Sequence, residues 1–113
     1  EVFFVNDTMH GEYRAWYDDR KKRIEGQYVN GMMHGRWFYW DQYGYLIGEG
    51  DFNNGRGVQK KYNYDGSLQG RLFFENNEKH GKEVYYDADG EVFMEINYEH
   101  GIMVGDTVFT SQK

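Results

Sequence analysis

The sequence predicts an all-β protein, an elongated single twisted antiparallel sheet of consecutive β-hairpins with about ten strands. Three observations support this. Similar phrases recur at a nearly constant spacing, each phrase holds two short strand-like runs, and glycine or asparagine turns separate the runs. Tyrosine (11), phenylalanine (8) and glycine (15) are abundant and proline is absent. Because aromatic side chains fit a pleated surface and glycine supplies positive φ, this composition favours strands joined by tight turns.

An aromatic residue opens each repeat unit. The five are Phe4, Tyr28, Phe52, Phe74 and Tyr98, with separations of 24, 24, 22 and 24 residues. The short spacing indicates a two-residue deletion in the turn of the third unit. We interpret residues 1–113 as one repeat domain of four hairpins, with a half-unit strand at residues 1–6 and a closing half-unit strand at residues 106–110.

The second unit shows how each hairpin is built. Residues 36–40 form the first strand-like run, residues 41–44 turn the chain, and residues 45–52 form the second run. Asp65-Gly66 and Asp89-Gly90 are predicted to be hairpin turn pairs, because both residues tolerate positive φ. No stretch between glycines is long enough for a helix with an apolar stripe.

The phrase from Tyr28 to Gly31, followed by His34-Gly35, Trp37 and a turn at Gly44, resembles the MORN repeat. It is most similar to the MORN-repeat-variant type that is common in bacterial proteins. This resemblance extends from Phe4 to Phe109. It implies a row of hairpins that serves in protein interaction, dimerisation or scaffolding, and some MORN arrays have been linked to phospholipid binding.

Two units depart from the MORN pattern. In the first, Asp7 and Arg20 replace glycines, and the third lacks the histidine. The chain begins at Glu1 rather than Met. Both a bacterial cytoplasmic location and export followed by signal removal are therefore compatible with the sequence.

The charge and the cysteine content narrow the classes of partner. The net charge is -6, whereas nucleic acids and anionic membranes are bound through clustered Lys and Arg. The basic run at residues 20–23 is interpreted as a solvated turn. We therefore expect that the protein does not bind nucleic acid. Contact with a membrane is possible but is disfavoured by the net charge. Cysteine is absent, which excludes disulfides and thiolate chemistry.

Three His-Gly dipeptides invite a metal or catalytic hypothesis. They are His10-Gly11, His34-Gly35 and His80-Gly81. Their shared repeat phase places them in successive hairpins, too far apart for Zn–N bonds of about 2.0–2.1 Å to one ion. We interpret them as turn residues whose histidines cap or hydrogen-bond the turn. Residues 87–91 resemble a calcium loop but fit a hairpin turn better, because an EF-hand loop needs Gly at its sixth position.

The sequence offers no recognisable catalytic constellation. Ser67 and Ser111 do not occur in a strand-turn-helix elbow, and the carboxylates occur in turns and along strand edges. An open single sheet also has little means of excluding water from a reaction. We therefore expect a binding protein without a cofactor rather than an enzyme.

The aromatic residues form two sets that should occupy opposite faces of the sheet. The first set is the expected core ladder: Trp16, Trp40, Tyr62 and Tyr86. The second is the candidate interaction surface: Trp37, Tyr39, Tyr85 and Phe109. Exposed aromatics of this kind favour a protein partner or self-association through the terminal strands. Carbohydrate or lipid binding by the exposed rings is the alternative.

Overall fold

The computed structural model describes residues 2–5 and 8–110, and within these ranges all regular secondary structure is β-strand. The strands are β1 (Val2–Val5), β2 (Thr8–Trp16), β3 (Lys22–Val29), β4 (Met32–Trp40), β5 (Leu46–Asn53), β6 (Arg56–Tyr62), β7 (Leu68–Glu75), β8 (Glu78–Lys79), β9 (Gly81–Tyr86), β10 (Val92–Glu99) and β11 (Ile102–Phe109).

The strands lie in one antiparallel sheet in chain order, so that each hairpin neighbours the next. β8 and β9 both pair with β7 and act as two segments of one strand. The principal extents are 52 × 32 × 20 Å. The predicted fold class is confirmed. The closing strand is longer than predicted, because it begins at Ile102 rather than at residue 106.

Two-residue turns lie along one edge of the sheet, which we call the Asn-turn edge. Both central residues of each turn have positive φ, as a type I′ turn requires, and asparagine and glycine tolerate this best. The turns in the described chain are Asn30-Gly31, Asn54-Gly55, Asn76-Asn77 and His100-Gly101. The twist of such turns matches that of the flanking strands, so each hairpin keeps its register.

The Asn-turn edge also links every second strand. The backbone N–H of the second turn residue donates to a carbonyl in the preceding hairpin. These bonds run from Gly31 to Met9 (2.7 Å), from Gly55 to Met33 (2.8 Å) and from Gly101 to Lys79 (2.8 Å). Backbone groups at a hairpin tip would otherwise face water. Neighbouring units are therefore joined at their tips as well as through their strands.

The opposite edge, the Asp-turn edge, has longer turns that end in a residue with positive φ. The N–H of Gly44 donates to the carbonyl of Asp41 (3.1 Å), and the N–H of Asp41 donates to Tyr45 (2.9 Å). This is a type I turn followed by a left-handed residue. Asp65-Gly66 and Asp89-Gly90 lie in such hairpin turns, as predicted, and within each pair it is the glycine that has positive φ.

A bulge in the first strand of a unit explains the second glycine of the repeat. In β4, Gly35, Arg36 and Trp37 lie opposite the single residue Gly26 of β3, and Gly35 has a φ of 73°. The third unit has no such bulge, because β5 and β6 pair without interruption. Its turn, Asn54-Gly55, is complete. The two-residue deletion therefore removes the bulge, and its predicted place in the turn is wrong.

Asn77 compensates for the missing bulge by spanning the shortened unit. Its Oδ1 accepts the backbone N–H of Met33 (2.8 Å), and its Nδ2 donates to the carbonyl of Gly31 (2.8 Å). Its own backbone N–H donates to Gly55 (3.0 Å). The Asn76-Asn77 turn is thereby bonded to the Asn30-Gly31 turn and to the Asn54-Gly55 turn.

Strand residues alternate between two faces, which we call the Trp37 face and the Trp40 face. The core lies on the Trp37 face. Its buried members are Met33, Trp37 and Phe52, and Tyr13, Ile24, Tyr28, Tyr39 and Phe74 pack against them. The Tyr28 ring meets the Trp37 ring edge-on, with ring centroids 5.1 Å apart, and the Tyr13 ring stacks on it with centroids 5.8 Å apart. A single sheet thus buries rings against one another.

The predicted assignment of the faces is wrong. Trp37, expected at the interaction surface, is 3% exposed, whereas Trp16, expected in the core ladder, is 54% exposed. The physical reason is the distribution of glycine. A Cβ atom at Gly26 would overlap the Trp37 ring, so a large ring can lie flat only where the neighbouring strand lacks a side chain. On the Trp40 face, the residues opposite Trp16, Trp40 and Tyr62 are Lys22, Leu46 and Leu68 rather than glycines.

Candidate interaction edge and aromatic groove

Strand β11 forms one edge of the sheet. It pairs with β10 on one side, with a bulge between Val104 and Val108, and no described residue pairs with its other side. Its exposed apolar side chains are Ile102, Met103, Val104, Val108 and Phe109. Unpaired backbone groups beside apolar side chains make an edge strand prone to pairing with a further strand. β11 is therefore the part of the described chain best suited to binding an extended segment.

The register across the sheet defines what such a segment would face. In each unit a glycine of the first strand lies opposite an aromatic residue of the following strand. The four pairs are Gly11 with Tyr28, Gly35 with Phe52, Gly57 with Phe74 and Gly81 with Tyr98. Gly105 of β11 has the same repeat phase, and no described residue lies opposite it on the outer side. An aromatic residue would fit there.

The predicted surface residues lie in different environments. A row of cross-strand partners joins Tyr39, Gly48, Lys61, Gly70, Tyr85, Met94 and Phe109. Trp37, Tyr39 and Tyr85 lie on the same face, but Trp37 is buried and the two tyrosines are half-buried. Phe109 is 69% exposed. Of the four predicted surface residues, Phe109 alone lies in the exposed edge strand.

The predicted core ladder lies on the Trp40 face. The rings of Trp40 and Phe38 stack with centroids 6.0 Å apart, and the hydroxyl of Tyr17 donates to the carbonyl of Trp40 (2.7 Å). The hydroxyl of Tyr62 donates to Glu49 Oε1 (2.8 Å). Trp40, Tyr62 and Tyr86 are half-buried. This face is therefore a partly solvated surface with polar contacts rather than a dry core.

A buried carboxylate occupies the Trp37 face in the fourth unit. Glu83 is 3% exposed and pairs with Lys79 (3.3 Å) and Lys61 (3.6 Å). It also accepts a hydrogen bond from the hydroxyl of Tyr85. Burial alone would raise the pKa of Glu83, but the Tyr85 hydrogen bond and the two lysines outweigh burial and hold it below its usual value. Burial and the bond to Glu83 raise the pKa of Tyr85.

An open groove of about 560 Å³ lies on the Trp37 face near the Asp-turn edge. Six of its lining residues are Tyr39, Gly48, Gln59, Lys61, Tyr62 and Tyr64. Burial, followed by the neighbouring Tyr28 and Tyr13, raises the pKa of Tyr39 to about 12, so its hydroxyl stays protonated and can donate. Among the described residues, no hydrogen-bond partner is found for the side-chain amide of Gln59.

Exposed tyrosines stand beside this groove. Tyr43 and Tyr64 are each 70% exposed in neighbouring turns, and the Tyr45 ring meets the Tyr64 ring edge-on with centroids 5.5 Å apart. The sequence-based assignment of surface aromatics missed all three, because it considered strand positions only. Their place in the turns 41–45 and 63–67 was the available signal, since hairpin tips project into solvent.

The histidines of the His-Gly dipeptides bind turns one unit further along the chain. In each case Nδ1 accepts a backbone N–H from the first residue of the next Asn-edge turn. The bonds join His10 to Asn30 (3.2 Å), His34 to Asn54 (3.4 Å) and His80 to His100 (3.4 Å). Residues 2–5 and 8–110 contain no group of three His, Asp or Glu side chains arranged to hold a metal ion.

The described part of the chain contains no helix of the length and apolarity needed to cross a membrane. Neither a protein-family model nor a curated protein matches this chain, and the likeness to MORN repeats stays a prediction from the sequence.

Proposed function

We propose that this chain is a non-catalytic protein-interaction or scaffolding module of the MORN-repeat type, and that a partner protein adds a strand to β11. The observation that carries the proposal is the combination of an unpaired edge with five exposed apolar side chains, Ile102, Met103, Val104, Val108 and Phe109. Main-chain hydrogen bonds would supply affinity, and the alternating side chains would supply specificity.

The partner strand has a definable chemistry. The repeat phase calls for an aromatic residue opposite Gly105, as in the four Gly–aromatic pairs of the sheet. The position opposite Phe109 calls for glycine or an apolar residue, because the residues in the same phase are Ile24, Gly48, Gly70 and Met94. An extended segment with glycine or an apolar residue four residues before an aromatic fits both positions.

The MORN-type resemblance supports the same function, since such arrays serve as interaction and scaffolding segments. A chain built as a near-neighbour series of hairpins offers edges and faces rather than a closed cavity. The net charge of -6 disfavours an anionic nucleic acid or bilayer as the partner.

A charge placed on the edge tests the proposal. Val108→Lys puts an ammonium group on β11 opposite Glu95, its cross-strand partner, so the fold can accommodate it while the edge becomes protected. Gln27→Lys adds the same charge to the exposed side of the interior strand β3 and is the matched control. Proteins captured from the native lysate by the parent chain and by both variants would be compared by quantitative mass spectrometry.

We expect at least one protein to be retained by the parent chain and by Gln27→Lys, and to be lost from Val108→Lys. Purification of that protein and titration against the three chains would then measure direct binding. An identical set of captured proteins for all three chains would contradict the proposal. Concentration-dependent sedimentation of the parent chain alone would show whether a second copy is the partner instead.

A further inference from the structure

We infer that the groove on the Trp37 face is a binding site for a neutral saccharide, separate from the β11 edge. It is lined by Tyr39, Tyr62, Tyr64, Gln59, Lys61 and the backbone of Gly48. Its volume of about 560 Å³ lies in the usual range for small-molecule sites, about 300–1,000 Å³.

Glycine produces the floor of this groove. Gly48 lies between Tyr39 of β4 and Lys61 of β6 in the cross-strand register. A Cβ at Gly48 would lie 3.1 Å from the carbonyl oxygen of Lys60 and 3.4 Å from Cδ2 of Tyr39. Gly48 is itself buried, so the Tyr39 side chain packs against bare backbone and forms the floor of the groove. The apolar face of a ligand can rest on this half-buried ring.

The charge of the groove favours a neutral ligand. Lys61 is the charged residue among the groove-lining side chains, and its Nζ already pairs with Glu83 at 3.6 Å and donates to Tyr85 Oη at 2.9 Å. Its charge is thus balanced by a carboxylate of the same chain. Neither an anion nor a cation gains a free countercharge in the groove, whereas a ligand with apolar faces and hydroxyl groups does not need one.

The polar groups of the groove point to hydroxyl recognition. The amide of Gln59 is half-buried, and no described residue hydrogen-bonds to it. An amide in such a place gains from a ligand that offers both a donor and an acceptor, which a sugar hydroxyl does. Tyr64 supplies an exposed ring for the apolar face of a pyranose, and the protonated Tyr39 hydroxyl supplies a further donor.

A matched pair of tyrosine variants tests the inference. Tyr64 and Tyr43 are both 70% exposed in Asp-edge turns, but only Tyr64 lines the groove. The parent chain would be screened on a glycan array, and the best neutral oligosaccharide would be titrated by calorimetry into the parent chain, Tyr64→Ala, Tyr43→Ala and Gln59→Leu. Thermal unfolding of each variant would verify the fold.

We expect Tyr64→Ala and Gln59→Leu each to raise the Kd about five- to tenfold, and Tyr43→Ala to leave it unchanged. NMR shift changes on binding should centre on Tyr39, Gln59 and Tyr64. The inference is overturned by an array without a neutral-glycan hit, by equal affinities for all four chains, or by a proline-rich peptide that binds the groove when no saccharide does. None of these outcomes bears on capture by β11, so the two proposals can fail independently.

Discussion

The indole ring of Trp37 covers Gly26 of the neighbouring strand so closely that residue 26 has no room for a Cβ atom. The ring is held there by Tyr28 on one side and by Tyr13 on another. The burial of Trp37, which is 3% exposed, therefore depends on a glycine in β3, and the two positions act as one packing unit.

Gly26→Ala is expected to destabilise the protein by about 2–3 kcal/mol, because the added methyl group must displace the Trp37 ring. Urea unfolding followed by tryptophan fluorescence measures the change. Gln27→Ala, at the exposed neighbouring position, should alter the free energy of unfolding by less than about 0.5 kcal/mol. Equal effects at the two positions would show that Trp37 does not need the bare backbone.

Asn77→Gly is expected to cost about 1–3 kcal/mol, because it keeps the positive φ but removes the bonds to Met33 and Gly31. Asn76→Gly, in the same turn and with a φ of 52°, is the control and should cost only a few tenths of a kcal/mol. Amide hydrogen exchange at Met33 should accelerate in the first variant only. If Met33 stayed equally protected in both, the bridge would be of no energetic importance.

Arg20→Gly is expected to stabilise the protein by about 1 kcal/mol. Arg20 has a φ of 73° at the turn position where the other units have glycine, and a side chain in that region is strained. The gain is reduced by the greater freedom of glycine in the unfolded chain. The reverse change at an equivalent position, Gly44→Ala, should lower the melting temperature. A lower melting temperature for Arg20→Gly would contradict the strain argument.

Acid should weaken the protein partly through Glu83. Its pKa is below the usual 4.5 in the folded chain, so its stabilising effect is complete above the unfolded pKa and is lost as the pH falls through the folded pKa. In Glu83→Gln, the free energy of unfolding should fall less steeply between about pH 6 and about pH 3. The pKa values of Glu25 and Glu49 are also lowered, so these residues contribute to the pH dependence of the unfolding free energy in both chains. Parallel curves for the two chains would argue against this role.

The sequence was sufficient to predict the array of hairpins, but it was not sufficient to predict which residues form the core. Repeated aromatic and glycine positions fix where strands end, because positive φ is a local property of a turn. Which face is buried depends instead on what lies across the sheet. Trp37 lies opposite Gly50, a relation that appears only once the register is known. Glycine at positions 48 and 50 of one strand was the usable signal for the side on which rings pack.

The candidate sites divide in the same way. The sequence shows that Ile102, Met103 and Val104 are apolar, but it does not show that they are exposed, because their exposure follows from the position of β11 at the edge of the sheet. Glu83 was not singled out, since a lone glutamate in a strand normally faces water. Its burial is balanced by Lys61, which is distant in sequence, and by Lys79, which lies four residues before it.

The bonds along the Asn-turn edge have a direction. Gly31, Gly55 and Gly101 each donate toward the hairpin before them, so every tip is fastened to its predecessor. Loss of a terminal hairpin breaks one such bond at either end, so exposure rather than donor direction decides which strands open readily. Seven of the eight residues of β11 are exposed and none belongs to the buried cluster around Trp37, so β11 should fray before the central strands. A partner strand on β11 would cover a part of the described sheet that opens readily.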